Sequence, residues 1–202
     1  MSICLMLDVD GVLVTGRPAD GHIWTHKLYD DLGLDPDLLV QEFFEREWLQ
    51  VVTGKRDLYP TLALCLKNIG TNLTAKELIS YWFEMDSRLN KSVLADCRAM
   101  RNKGHQIYLT TNQEHLRAQY LMDALGLGAE VDGIIYSAQA GFQKPSPEFY
   151  HYAADIVAWE PKDMLLVDDT QANIDGAINA GWCAVHWKGE ERLFDILRRF
   201  TG

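Results

Sequence analysis

Positive charge is what this chain is short of. Nineteen lysines and arginines stand against 29 aspartates and glutamates, a formal net charge of −10 over 202 residues. No basic run exceeds short pairs such as Arg198-Arg199. A protein that holds a phosphate backbone needs a positive surface, so nucleic acid is not an expected partner. Cysteine is sparse too: Cys4, Cys65, Cys97 and Cys183 are scattered, without a Cys-x-x-Cys pair. They read as reduced, mostly buried thiols, and a structural zinc site is not expected. Long apolar runs are missing, and the one at the start is soon ended by acids. Neither a signal peptide nor a membrane span is expected, and the reduced thiols read as those of a cytoplasmic protein. There is no internal repeat, low-complexity tract or flexible linker. His22 and His26 have metal-ligand spacing but no third ligand, and they read as exposed residues at a helix start.

What is present is concentrated chemistry. Asp8 and Asp10 follow the apolar run Ile3-Cys4-Leu5-Met6-Leu7 in the order Asp8-Val9-Asp10-Gly11-Val12-Leu13. A short unbroken apolar run ended by glycine predicts a strand buried on both faces, as inside a parallel sheet. Residues two apart on a strand point the same way, so both carboxylates emerge at its carboxyl end, where open α/β sheets bind ligands. Two anions that close persist when a cation lies between them or one keeps its proton.

Helical periodicity then dominates residues 22–32, 37–51, 57–69 and 74–86. Helix-start chemistry accompanies it at Asp35-Pro36, at Asp57 with Pro60, and at Thr74 with Glu77 as a capping box. From residue 91 helices alternate with strands at 106–110, 133–137, 164–167 and 183–187. The expected fold class is α/β, a doubly wound parallel sheet with a Rossmann-like core and an inserted four-helix cap. Residues 1–16 and 91–202 form the core and residues 17–90 the cap. The insertion's aromatics, Trp24, Tyr29, Phe43, Phe44, Trp48, Tyr59, Tyr81, Trp82 and Phe83, are mostly explained as the core of that cap.

Each later strand also ends in polar residues. These are Thr110-Thr111-Asn112, Lys144-Pro145 in the loop after the third strand, and Asp168-Asp169. A doubly wound sheet gathers such ends along one edge, so Asp8, Asp10, Thr111, Lys144 and Asp169 are expected to converge. Taken singly, each has a structural explanation as a cap or a solvated lysine. Together they are the inventory for holding Mg2+ and a phosphoryl group.

These segments, in this order, resemble the four motifs of the haloacid dehalogenase superfamily, whose members are mostly phosphatases. Asp8-Val9-Asp10-Gly11-Val12-Leu13 is similar to the first, Ile107-Tyr108-Leu109-Thr110-Thr111-Asn112 to the second, Lys144-Pro145 with Pro147 and Tyr150 to the third, and Leu165-Leu166-Val167-Asp168-Asp169 to the fourth. The helical insertion lies where one type of that family's caps lies. One position departs from the pattern: many members carry an acid four residues beyond the metal-binding aspartate, and Asn173 stands here.

The resemblance implies a Mg2+-dependent phosphatase acting on a small phosphorylated metabolite. Asp8 would be the nucleophile and would form an aspartyl-phosphate; Asp10 would be the acid and base. Mg2+ would be bound by Asp8, Asp169 and the backbone carbonyl of Asp10, with Asp168 and Asn173 behind it. Thr111, the Asn112 amide and Lys144 would hold the phosphoryl oxygens. The loop between the second and third cap helices carries Lys55 and Arg56, candidates for choosing the substrate. The segment 11–18, with two glycines and a proline, suits a hinge. A phosphoryl-transfer mutase is the alternative. A dehalogenase is disfavoured by the acid at position 10, and a non-enzymatic receiver domain by the order of its motifs. An EF-hand fails because Gly11 and Ala19 stand at the wrong loop positions. A monomer or homodimer is expected.

Overall fold

The computed structural model describes residues 3–201. Residues 1, 2 and 202, which the expected core range includes, lie outside the described residues.

Five parallel strands, β1 (Cys4–Leu7), β2 (Gln106–Thr111), β3 (Gly133–Tyr136), β4 (Met164–Asp168) and β5 (Cys183–His186), form one sheet in the order β3-β2-β1-β4-β5. The first strand is central, paired to β2 on one side and β4 on the other. All four of its residues are buried because its two faces feed different cores. Leu5 and Leu7 pack with the helices α6 (Lys91–Arg101) and α11 (Leu193–Thr201) through Cys97, Met100 and Ile196. Cys4 and Met6 pack on the other face with α9 (Pro147–Val157) and α10 (Gln171–Asn179) through Phe149, Ala153 and Ala177. Each fully buried leucine here contributes about 2 kcal/mol relative to exposure.

The insertion is helical: α1 (Leu28–Leu32), α2 (Pro36–Leu39), α3 (Trp48–Val52), α4 (Leu58–Ile69) and α5 (Ala75–Met85). Asp35 caps α2, accepting from the Asp37 amide at 2.9 Å. Thr74 and Glu77 form the expected capping box on α5. Asp57 stands at the N-cap of α4 without a side-chain cap bond. Two expected helices are not continuous. Residues 37–51 divide into α2, a π-turn at Val40–Phe44 and α3. The wider turn, closed by Glu45 N donating to Val40 O at 2.9 Å, lets the neighbours Phe43 and Phe44 both reach one aromatic cluster with Trp48. Residues 22–32 begin as a 3-10 turn, Trp24–Lys27, where Trp24 is drawn onto Trp82 with ring centroids 5.1 Å apart. Tyr29 and Tyr59 are exposed and take no part in the cap core. His22 and His26 are exposed and stacked on each other at 4.3 Å.

The two connections between core and insertion run side by side. Val14 and Leu89 form an antiparallel bridge, Thr15 N donates to Arg88 O and Arg88 N to Gly16 O, both at 2.9 Å. The helix α7 (His115–Met122) joins the units further, because Arg117 is buried and donates to the carbonyls of Phe83 and Asp86 at the end of α5. A cation at a helix C-terminus meets orphan carbonyls and the negative end of the dipole. A short helix, α8 (Ser137–Ala140), replaces the expected end of the third strand. Cys183 is only partly buried, unlike the other three thiols. Among the described residues no helix is long and apolar enough to cross a membrane.

Candidate active site

The carboxyl edge of the sheet holds a cavity of about 280 Å3 lined by Asp8, Asp10, Gly11, Thr111, Asn112, Lys144, Asp169, Thr170 and Asn173. Residues that the sequence separates by most of its length therefore share one small space. β1 delivers Asp8, whose amide is still held by Val167 O at 2.9 Å. The chain then makes one tight turn, with Leu13 N and Val14 N both donating to Val9 O at 2.8 Å. Gly11 sits in that turn at φ +81°, and a Cβ there would lie 1.9 Å from Asp169 Oδ2. Only glycine lets the backbone come so close to that carboxylate.

Lys144 is the positive centre. It is buried, and its ammonium spends its three donors on Asp8 Oδ1 at 3.0 Å, Thr110 O at 2.7 Å and Asp168 Oδ2 at 2.5 Å. Burial works against its charge, but Asp8 and Asp168 outweigh that and hold its pKa above the ordinary value. Its position comes from Asn112, whose Oδ1 accepts from Lys144 N at 2.8 Å while Nδ2 donates to Lys144 O at 3.0 Å. Both ends of the Asn112 side chain are thereby used on the lysine's backbone, leaving Asn112 its main-chain amide for a ligand. Thr111 is buried at the end of β2 and lines the cavity.

The paired aspartates where β4 ends divide their work. Asp168 is fully buried; its oxygens accept from Lys144 Nζ, from Thr170 N at 2.9 Å and from Asn173 Nδ2 at 3.0 and 3.1 Å. Asp169 is exposed at the cavity wall. Ligand oxygens of Asp8, Asp168 and Asp169 all lie within 4.8 Å of one another. Three carboxylates around one ammonium leave excess negative charge, and an oxygen-only donor set suits a hard divalent cation. The residues fit such an ion.

Burial pushes the Asp8 carboxyl up to about 7, with Asp168 and Asp10 adding to the rise and Lys144 opposing it. Asp10 is exposed at the cavity rim, yet Gln113, Asp86 and Arg117 crowd it and displace part of its water. Its pKa rises to about 6, with Asp86 adding and Arg117 and Gln113 opposing. Gln113 Nε2 donates to Asp10 Oδ2. Gln113, Asp86 and Arg117 bear on Asp10 from outside the cavity lining and Ser137 holds the Gln113 carbonyl, contacts that the sequence did not reveal. Only the position of Gln113, next to Thr111-Asn112, offered any signal.

Lys55 and Arg56 are exposed and do not line the cavity. The guanidinium of Arg56 is paired with Glu47 and faces a separate cleft on the cap with Thr61 and Cys65. Their loop does reach the core: a Cβ on Gly54 would meet Ala138 O at 2.3 Å, and Ser137 Oγ donates to Val52 O at 2.6 Å.

A family model described as haloacid dehalogenase-like hydrolase matches residues 4–181. The chain belongs to that family. This haloacid dehalogenase-like hydrolase is 28% identical over 112 residues to N-acylneuraminate-9-phosphatase of Mus musculus, a match covering 53% of this chain and 45% of that one. It is 24% identical over 217 residues to bifunctional epoxide hydrolase 2 of Rattus norvegicus, covering 96% of this chain and 38% of that protein. The chain thus spans less than half the length of these relatives. A GMP/IMP nucleotidase of Escherichia coli is 22% identical over 179 residues, with 88% and 78% covered. Among solved structures, a family enzyme from Bacteroides thetaiotaomicron in complex with magnesium and inorganic phosphate superposes with a TM-score of 0.82 at 16% identity, over 98% of this chain and 100% of that one. The L-2-haloacid dehalogenase of Xanthobacter autotrophicus gives 0.64 at 19% identity, over 100% and 83%. At such identities the likeness is one of fold.

Proposed function

We propose that this hydrolase is a Mg2+-dependent phosphatase of a small phosphorylated metabolite, working through an aspartyl-phosphate on Asp8. The observation that carries the reading is the set around Asp8: a buried carboxylate at the sheet's carboxyl edge, 3.0 Å from Lys144 Nζ, with an oxygen of Asp169 within 4.8 Å and Asp10 lining the same cavity. The phosphatase and nucleotidase relatives and the magnesium and phosphate in a structure of like fold support it.

Asp8, Asp169 and the main-chain carbonyl of Asp10 would hold Mg2+. Bound there, it supplies positive charge against the anions that converge when a phosphate ester enters. Asp168, saturated by Lys144, Thr170 and Asn173, orients the ammonium instead. Asp8 attacks phosphorus in line; its new P–O bond forms as the ester P–O bond breaks, and Asp10 gives its proton to the leaving oxygen. Asp10 then takes a proton from water, whose oxygen attacks phosphorus and releases Asp8 and inorganic phosphate. Thr111, the Asn112 amide and Lys144, whose N–H to Asp8 would turn to the phosphoryl group, receive the equatorial oxygens, where the transferring group carries its charge. The modest cavity favours a small phosphorylated group over a bulky one.

The test is a hydrolysis screen over phosphorylated metabolites and an aryl phosphate, with and without Mg2+, using wild type and Asp8→Asn. Mg2+-dependent release of phosphate by wild type alone is expected, since an amide is a poor nucleophile. Asp8→Asn turnover comparable to wild type would sink the covalent mechanism.

A further inference from the structure

Gln113 takes no part in the reaction just described, yet it is the residue best placed to control Asp10. Its side chain is buried, and Nε2 donates to Asp10 Oδ2. The backbone beneath it is fixed on every side. The Gln113 carbonyl accepts from Ser137 Oγ and from Ala138 N, each at 3.1 Å. Asn112 before it is pinned to both backbone polar groups of Lys144. Glu114 after it caps α7 through the amides of Leu116, at 2.7 Å, and Arg117, at 2.5 Å. Ser137 Oγ also donates to Val52 O, so the contact that seats the cap loop bears on the same residue. A side chain on so rigid a base holds one place, which is what positioning requires.

We propose that Gln113 is the positioning residue for the acid, fixing the orientation in which the Asp10 carboxyl faces the substrate. The inference rests on the reading of Asp10 as proton donor. With Oδ2 accepting the amide N–H, Oδ1 is the oxygen left to carry the acid's proton toward the substrate. From Oδ1 it passes to the ester oxygen as the ester P–O bond breaks, and Gln113 keeps both of its amide protons. Without the amide the carboxyl is free to turn about χ2, and the proton is presented in many directions instead of one. Gln113 touches no reacting atom, so its loss acts through Asp10 and grows with the substrate's need for a proton.

The test compares wild type with Gln113→Met, which removes the donor at similar length, and Gln113→Leu, which removes it with a shorter apolar side chain. Two readouts are taken: the orientation of Asp10 in crystal structures, and kcat/KM against leaving-group pKa over a series from alkyl phosphates to 4-nitrophenyl phosphate. Expected is a turned or multiply placed Asp10 carboxylate, with a loss of about tenfold or more for alkyl esters that shrinks steadily as the leaving group improves. An Asp10 carboxylate placed as in wild type overturns the proposal whatever the kinetics. A loss equal for all leaving groups also overturns it and makes Gln113 a structural residue. If wild type hydrolyses no ester, the phosphatase reading falls, and the Asp10 orientation alone decides the role of Gln113. Should Gln113→Met fail to fold, Gln113→Leu carries both readouts.

Discussion

Asn173 donates from Nδ2 to both oxygens of Asp168, at 3.0 and 3.1 Å, inside the fold. The departure from the family pattern at this position thus has a local reason: a carboxamide can donate to a buried carboxylate, whereas an ionised acid can only face it with further acceptors. Asn173→Asp is expected to lose about 3 kcal/mol of stability at neutral pH, the scale of an uncompensated buried charge. It should also lower turnover by letting Lys144 turn from Asp8. Urea unfolding and a phosphate-release assay check both. An unchanged midpoint would mean that solvent reaches Asp168.

Gly11→Ala is expected to disable the metal site without unfolding the protein. The added Cβ meets Asp169 Oδ2 at 1.9 Å, at a φ of +81° that favours glycine. The backbone strain costs about 1 kcal/mol. Displacing Asp169 should weaken Mg2+ binding about tenfold or more. Titration calorimetry with Mg2+ alone reads this directly, and wild-type affinity in the variant would remove Asp169 from the ligand set.

The pH profile should separate the two acids at the first strand. Asp8 must be ionised to attack and Asp10 protonated to donate, while burial lifts them to about 7 and about 6. A donor with a pKa near 6 is fully protonated well below that value and is lost as pH rises through it. For alkyl phosphates kcat/KM should therefore fall on the alkaline side of about 6. A cation beside Asp8 favours its anion, so the acid limb should move to lower pH as Mg2+ is raised. The two limbs belong to the coupled pair. An alkaline limb that persists unchanged in Asp10→Asn would assign it to another group.

Lys55 and Arg56 should separate as well. Arg56 is held by Glu47 away from the cavity, so Arg56→Ala is expected to leave KM within about twofold of wild type. Lys55 has no such partner described, and Lys55→Ala should raise KM or reorder preferences among natural phosphates while turnover on a small aryl phosphate holds. Removing uniform binding affects KM, whereas removing a transition-state contact lowers turnover for every substrate. An equal fall in turnover across all substrates would place Lys55 in the chemical step.

The sequence by itself determined the parallel sheet, the helical insertion and the strand-end chemistry. Each of these is written in local signals: an apolar run ended by acids at Asp8, a capping box at Thr74 and Glu77, and strands alternating with helices after residue 91. Periodicity and capping act over one or two turns of chain, so they can be read without the fold. Tertiary structure decided what depends on distant partners. The π-turn at Val40–Phe44 exists because Phe43, Phe44, Trp48 and Trp82 need one cluster, which no local pattern announces. Asp168 and Asp169 are adjacent and alike in sequence, and only packing makes one the partner of Lys144 and the other a cavity wall. Gln113 meets Asp10 across 103 residues of chain, and Arg117 meets Phe83 and Asp86 from the other unit. Such contacts are set by which surfaces the folded core brings together.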